Sequence, residues 1–192
     1  VDLQVGRVDF ANMPGKKVWN DPGSFLSERE LLRQYLNKDH DFRHKLLSAP
    51  LRGLVGNRFG DFGGEAFAAS GYRNFSTFFS PANTTTSNAS DTAPISEKWI
   101  SYLANNSYIW AFGCGGGSAT SISGLGTNGL YSDVWSTDIV GQDAKAIFNM
   151  LFGSWLVDWD TPDNIMRSLL TTRTMGLTCS WSGRPHHYYH HM

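Results

Sequence analysis

Residues 107–113 read SYIWAFG. A short, almost unbroken apolar run closed by glycine predicts a strand covered on both faces, the habit of parallel sheets flanked by helices. Working outward, four more segments read as strands. Residues 144–152 form a second buried run, and 51–56 is a short apolar segment ending in Gly56. Residues 3–10 carry Leu3, Val5, Val8 and Phe10, and 175–181 supplies the last strand. Helical patterns lie between them. The clearest spans 28–47: Ser27 and Glu30 form a capping box, Leu31, Tyr35, Phe42 and Leu46 share one face, and Asp39 pairs with Arg43 on the other. Residues 64–79 predict a second helix, which Gly71 weakens, and 95–104 a third. Thr161-Pro162-Asp163 opens a fourth that runs to 172. Residues 80–94 and the Gly/Ser-rich stretch 113–129 read as loops. The alternation predicts one α/β domain over 1–192, three-layered, with a mainly parallel sheet.

Composition narrows the function classes. The 192 residues are 41% hydrophobic and 17% charged, which excludes global disorder and supports a sizeable core. A net charge of −1 gives no positive field for general nucleic-acid binding. No apolar run approaches the roughly 20 residues of a membrane span; the longest, 144–157, is interrupted by Lys145, Asn149 and Ser154. Cys114 and Cys179 permit one internal disulfide at most, too few to fix the redox compartment. A start at Val1 and an end straight after a His-rich run are expected of a piece of a longer protein, whose other domains are then expected partners. Trp19, Trp135, Tyr188 and Tyr189 are candidates for contact with such a domain or with polysaccharide, packing inside the fold being the simpler role.

In parallel sheets the chemistry gathers beyond the carboxyl ends of the strands. Three segments converge there: GCGGGS at 113–118, GSWLVDWD at 153–160 and SGRPHHYYHH at 182–191. Cys114 and Ser154 are candidate nucleophiles, His186 and His187 candidate bases, and Asp158 or Asp160 a group to orient an imidazole. The amides of Gly115, Gly116 and Gly117 suit an oxyanion hole or an anion nest. The plainer alternatives are a buried inert cysteine and a tight turn. His186 with His190, and His187 with His191, have the i, i+4 spacing that ligates a metal from a helix, with Asp158, Asp160 or Asp163 to complete the set. No cofactor is expected beyond a divalent metal at His186, His190 and His191, and no His-Glu-x-x-His is present. Asp158 and Asp160 also form a carboxylate pair of the kind that acts on glycosidic bonds, or one that caps the next helix.

The three segments, in this order, resemble the gingipain-type cysteine peptidases of caspase-like fold. Val5-Gly6-Arg7 and the helix over 28–47 resemble that family's early strand and helix. SYIWAFGC leading into Gly115-Gly116-Gly117-Ser118 resembles the strand that carries the family's catalytic His in a Gly-His-Gly-Ser pattern. FNMLFG ending in Ser154, then Val157-Asp158-Trp159, resembles the strand that carries its nucleophilic Cys. Ser182-Gly183-Arg184 resembles the turn after its last strand. The resemblance implies a caspase-like topology, a secreted or extracytoplasmic setting and a peptide or small acyl substrate. Gly116 stands in place of the His and Ser154 in place of the Cys, so the family's thiolate–imidazole dyad is missing. Two readings follow, beside a third in which the C-terminal histidines bind a metal that the activity depends on. One is a divergent hydrolase rebuilt from Cys114 or Ser154 with His186 or His187. The other is a catalytically inactive binding or packing module.

Overall fold

The structure, a computed structural model, describes residues 6–11, 13, 17–18, 21–58, 65–88, 98–127, 132–158 and 161–180. It opens with an antiparallel pair, β1 (Lys17–Val18) and β2 (Asp21–Phe25), followed by α1 (Glu28–Arg43), β3 (Gly53–Asn57), α2 (Glu65–Phe79), β4 (Thr84–Asn88), α3 (Trp99–Asn105) and β5 (Tyr108–Cys114). A second antiparallel pair, β6 (Ser121–Ile122) and β7 (Val134–Trp135), leads into α4 (Ser136–Gly141), β8 (Ala146–Phe152), α5 (Ile165–Leu170) and β9 (Thr178–Ser180).

Five strands form one wholly parallel sheet in the order β4-β3-β5-β8-β9. Counted along the chain, that order is second, first, third, fourth, fifth, a doubly wound arrangement. Side chains alternate between its faces with a period of two. Val55, Phe112, Cys114 and Phe152 meet Ala68 and Phe75 of α2 on one face. Leu54, Ala111 and Leu151 meet α3, α4 and α5 on the other, through Trp99, Ile139 and Leu169 among others. This is the predicted three-layer α/β architecture. Gly56 and Gly113 face each other in register and leave a flat platform for the Trp99 indole; a Cβ on Gly56 would lie 2.5 Å from Trp99 Cδ1.

The first helix starts where its capping box predicts. The Ser27 N–H donates to Glu30 Oε2 (2.8 Å), and Asp39 accepts from Arg43 Nε (2.8 Å). It ends at Arg43, short of 47, because Lys45 turns left-handed (φ 61°) and the amides of Leu46 and Leu47 close on the Asp41 carbonyl at 2.7 and 3.1 Å. Leu46 thereby leaves the apolar face and is 74% exposed. Gly71 proves a packing requirement of α2, since a Cβ there would lie 2.7 Å from Phe112 Cδ1.

Four expectations are corrected. Residues 6–10 are not a strand, and 3–5 lie outside the described residues. Phe10 is instead buried with Leu31 and Leu170, and Arg167 of α5 donates to the carbonyls of Asp9 (2.9 Å) and Ala11. The predicted loop over 80–94 contains β4, an edge strand, with 89–94 outside the described residues. The Gly/Ser-rich loop contains β6. The fourth helix is capped by Asn164 and not by Thr161: Asn164 Oδ1 accepts from the Arg167 N–H (3.1 Å) while its Nδ2 donates to the Leu156 carbonyl (2.7 Å). The third helix begins at Trp99, with 95–97 outside the described residues. Among the described residues, no helix is long and apolar enough to cross a membrane.

Candidate functional site at the carboxyl edge of the sheet

The strand order makes β3 and β5 the switch point, where the following connections leave in opposite directions and ligands of such sheets usually bind. Cys114 ends β5 there, in register with Asn57 of β3 and Phe152 of β8. Its side chain is fully buried among Val55, Phe112 and Phe152, and its thiol donates to Asn57 Oδ1 at 3.7 Å. The Arg58 N–H donates to the Cys114 carbonyl (2.9 Å), so the two strand ends are joined. The Arg58 side chain is buried beneath Gly124, whose positive φ of 77° and direct contact with that side chain admit no Cβ. The loop after β5 therefore closes over the end of β3.

The glycines 115–117 turn the chain between two close backbones. The Gly115 N–H donates to the Phe152 carbonyl (2.9 Å), the Gly116 carbonyl accepts from the Ser123 N–H (2.7 Å), and Gly117 forms an isolated bridge with Ile122. A Cβ on Gly117 would collide with the Ser154 carbonyl. Of the three amides predicted as an anion cradle, that of Gly115 is thus committed to an internal bond. Ser154 is half-buried at the tip of β8. Trp155 follows at φ 64°, a left-handed conformation that is an outlier for so bulky a residue, and is 43% exposed. Trp135, at the start of α4, is 48% exposed on a segment of the same edge.

Gly117 and Ser154 are therefore brought together, whereas Cys114 is withdrawn from the surface. Asp158 is half-buried in the turn after β8, its carbonyl accepting from Asn164 Nδ2 (3.4 Å). Asp163, at φ 57°, accepts from the Ser136 hydroxyl (2.5 Å). Asp160, His186, His187, His190 and His191 lie outside the described residues. Among the described residues no cluster of His, Cys, Asp or Glu has the makings of a metal site. Cys114 and Cys179 are not joined in a disulfide, and burial pushes the Cys179 thiol of β9 well up from its ordinary range.

One polar chain at this edge was not singled out from the sequence. The Ser118 and Ser121 hydroxyls are 3.0 Å apart, and Ser121 donates to Asp133 Oδ2 at 3.3 Å. Ser118 Oγ also accepts from the amides of Thr120 (3.2 Å) and Ser121 (3.0 Å), a serine turn that the SATS run at 118–121 signals locally. Asp133 joins only through the β6–β7 pairing, which carries no such signal. No family model matches the chain, and neither does any curated protein or solved structure.

Proposed function

We propose that the domain is a non-catalytic relative of the gingipain-type peptidases, on a caspase-like scaffold, that works as a binding module at the carboxyl edge of its sheet. The burial of Cys114 carries this reading: a thiol with no exposed surface, held against Asn57 and walled by Val55 and Phe152, meets no substrate. The doubly wound strand order and the adjacency of Gly117 and Ser154 support the scaffold. They bring the loop of the His-equivalent position, Gly116, to the tip that carries the Cys-equivalent position, Ser154. A glycine at 116 offers no imidazole there. The binding surface is built on Trp135 and Trp155, whose rings stay exposed at this edge, Trp155 on a backbone that costs about 1–2 kcal/mol to hold left-handed. An extracytoplasmic setting comes with the resemblance.

The test is labelling of the native protein with iodoacetamide and a fluorophosphonate, read by peptide mass mapping. Native Cys114 and Ser154 are expected to stay unmodified, Cys114 reacting only after denaturation. Modification of Ser154 or Cys114 in the folded protein overturns the reading. It would restore the divergent hydrolase acting on an acyl or peptide bond, with His186 or His187 as base and Asp158 to orient it.

A further inference from the structure

A second feature lies at the opposite, amino edge of the sheet, independent of the proposed binding edge. Lys38 of α1 is almost wholly buried, and its Nζ donates to the carbonyls of Leu170, Thr172, Met175 and Gly176 at 2.9, 2.6, 2.7 and 3.2 Å. All four acceptors are neutral. The nearby carboxylate of Asp143, also buried, accepts from the amides of Arg173 (2.6 Å) and Thr174 (3.1 Å) and from the Thr174 hydroxyl (2.9 Å), and acts on Lys38 only through space. A buried cation without a contacting counter-charge among the described residues is electrostatically under-compensated. Burial accordingly pulls Lys38 down to about 7.

A pocket of about 470 Å³ opens onto this lysine, a size that holds a small molecule. Arg33 of α1 and Arg173 of the α5–β9 connection both line it, and Leu46 and Leu47 supply apolar surface. Leu46 is held outward by the left-handed turn at Lys45. Asp41 also lines the pocket and disfavours a second negative charge on a ligand.

We propose that this pocket binds a small organic monocarboxylate, its carboxylate held by the Arg33 and Arg173 guanidiniums above Lys38 and its apolar body on Leu46 and Leu47. Two features select that class. The planar guanidinium matches a carboxylate in shape and charge, and the leucines reward a ligand with a short apolar body. The carboxylate supplies the negative charge that the carbonyl cage around Lys38 lacks.

Calorimetric titration with hexanoate, acetate and inorganic phosphate at matched ionic strength tests this. Hexanoate is expected to bind saturably, with acetate and phosphate each at least tenfold weaker. The Arg33→Ala/Arg173→Ala double variant, whose replaced side chains are exposed, is expected to keep the wild-type circular dichroism and bind hexanoate at least tenfold more weakly. No saturable hexanoate binding overturns the proposal. So does equal affinity in the double variant, or phosphate binding as tight as hexanoate.

Discussion

Lys38 and Cys179 are two single residues with opposite effects on stability as the pH rises. Lys38 titrates near 7 when folded, against about 10.4 in an unfolded chain. Between those values the unfolded chain holds a proton that the folded one has released, so stability increases with pH, by at most about 5 kcal/mol over the whole window. Cys179 does the reverse. Its folded thiol resists ionisation, whereas an unfolded thiol ionises from about pH 8.5, so stability falls as pH rises above that point. Urea unfolding is expected to show stability climbing from pH 7 to about 8.5 and then bending over. Lys38→Met should remove the climb and lower stability throughout, because the buried carbonyls of Leu170 and Gly176 lose the ammonium as donor, while those of Thr172 and Met175 keep Gln34 and the Thr172 hydroxyl. Cys179→Ala should remove the bend. A wild-type profile that is flat or falling between neutrality and the thiol range would contradict the role given to Lys38.

At the scale of elements, the ends of the helices matter most. Asn164 starts α5 from a wholly buried position and bonds in two directions, so Asn164→Ala is expected to cost about 2 kcal/mol, at the upper end for a cap. Lys45→Gly is expected to stabilise by about 1 kcal/mol, since glycine takes the left-handed turn after α1 without the Cβ penalty. Denaturant midpoints at constant slope check both. The same contrast explains what the sequence could disclose. The capping box at Ser27 and Glu30 acts within four residues, and the buried strands announce themselves by unbroken apolar runs, so α1, β3, β5 and β8 were legible. The strand β4 is TTTSN, polar because an edge strand pairs on one side only, and nothing local separates it from a loop. Thr161 looked like a cap because Pro162 follows it; Asn164 won because its amide also reaches Leu156, a contact made by folding. At the candidate site, the sequence located the segments around Cys114 and Ser154. It reads the strand as closing at Gly113 and so leaves Cys114 in the loop, whereas β5 continues through Cys114 and turns it onto the α2 face.

For the whole molecule, Arg167 is one of the links between the chain's beginning and its later half, beside the packing of Phe10 on Leu170. This buried guanidinium on α5 reaches the carbonyls of Asp9 and Ala11, more than 150 positions away along the chain. Removing it leaves those carbonyls without that donor while α5 keeps its own backbone bonds. Arg167→Met is therefore expected to speed amide hydrogen exchange in residues 9–11 and on α1 near Leu31, with β5 little changed. Uniform acceleration across the sheet would show instead that the contact supports the entire fold. The strand order also divides the molecule's surfaces. The Trp135–Trp155 edge and the Lys38 pocket lie at opposite ends of the same sheet, so a ligand at one leaves the other uncovered.

The flat platform made by Gly56 and Gly113 gives the protein an optical property. Trp99 lies on it wholly buried, with an indole nitrogen that has no hydrogen-bond partner among the described residues. Its fluorescence should therefore emit far to the blue, apart from the redder, quencher-accessible light of Trp135 and Trp155. Of the chain's seven tryptophans, Trp99 thus supplies a blue shoulder that reports the integrity of the core, and Trp99→Phe should remove that shoulder.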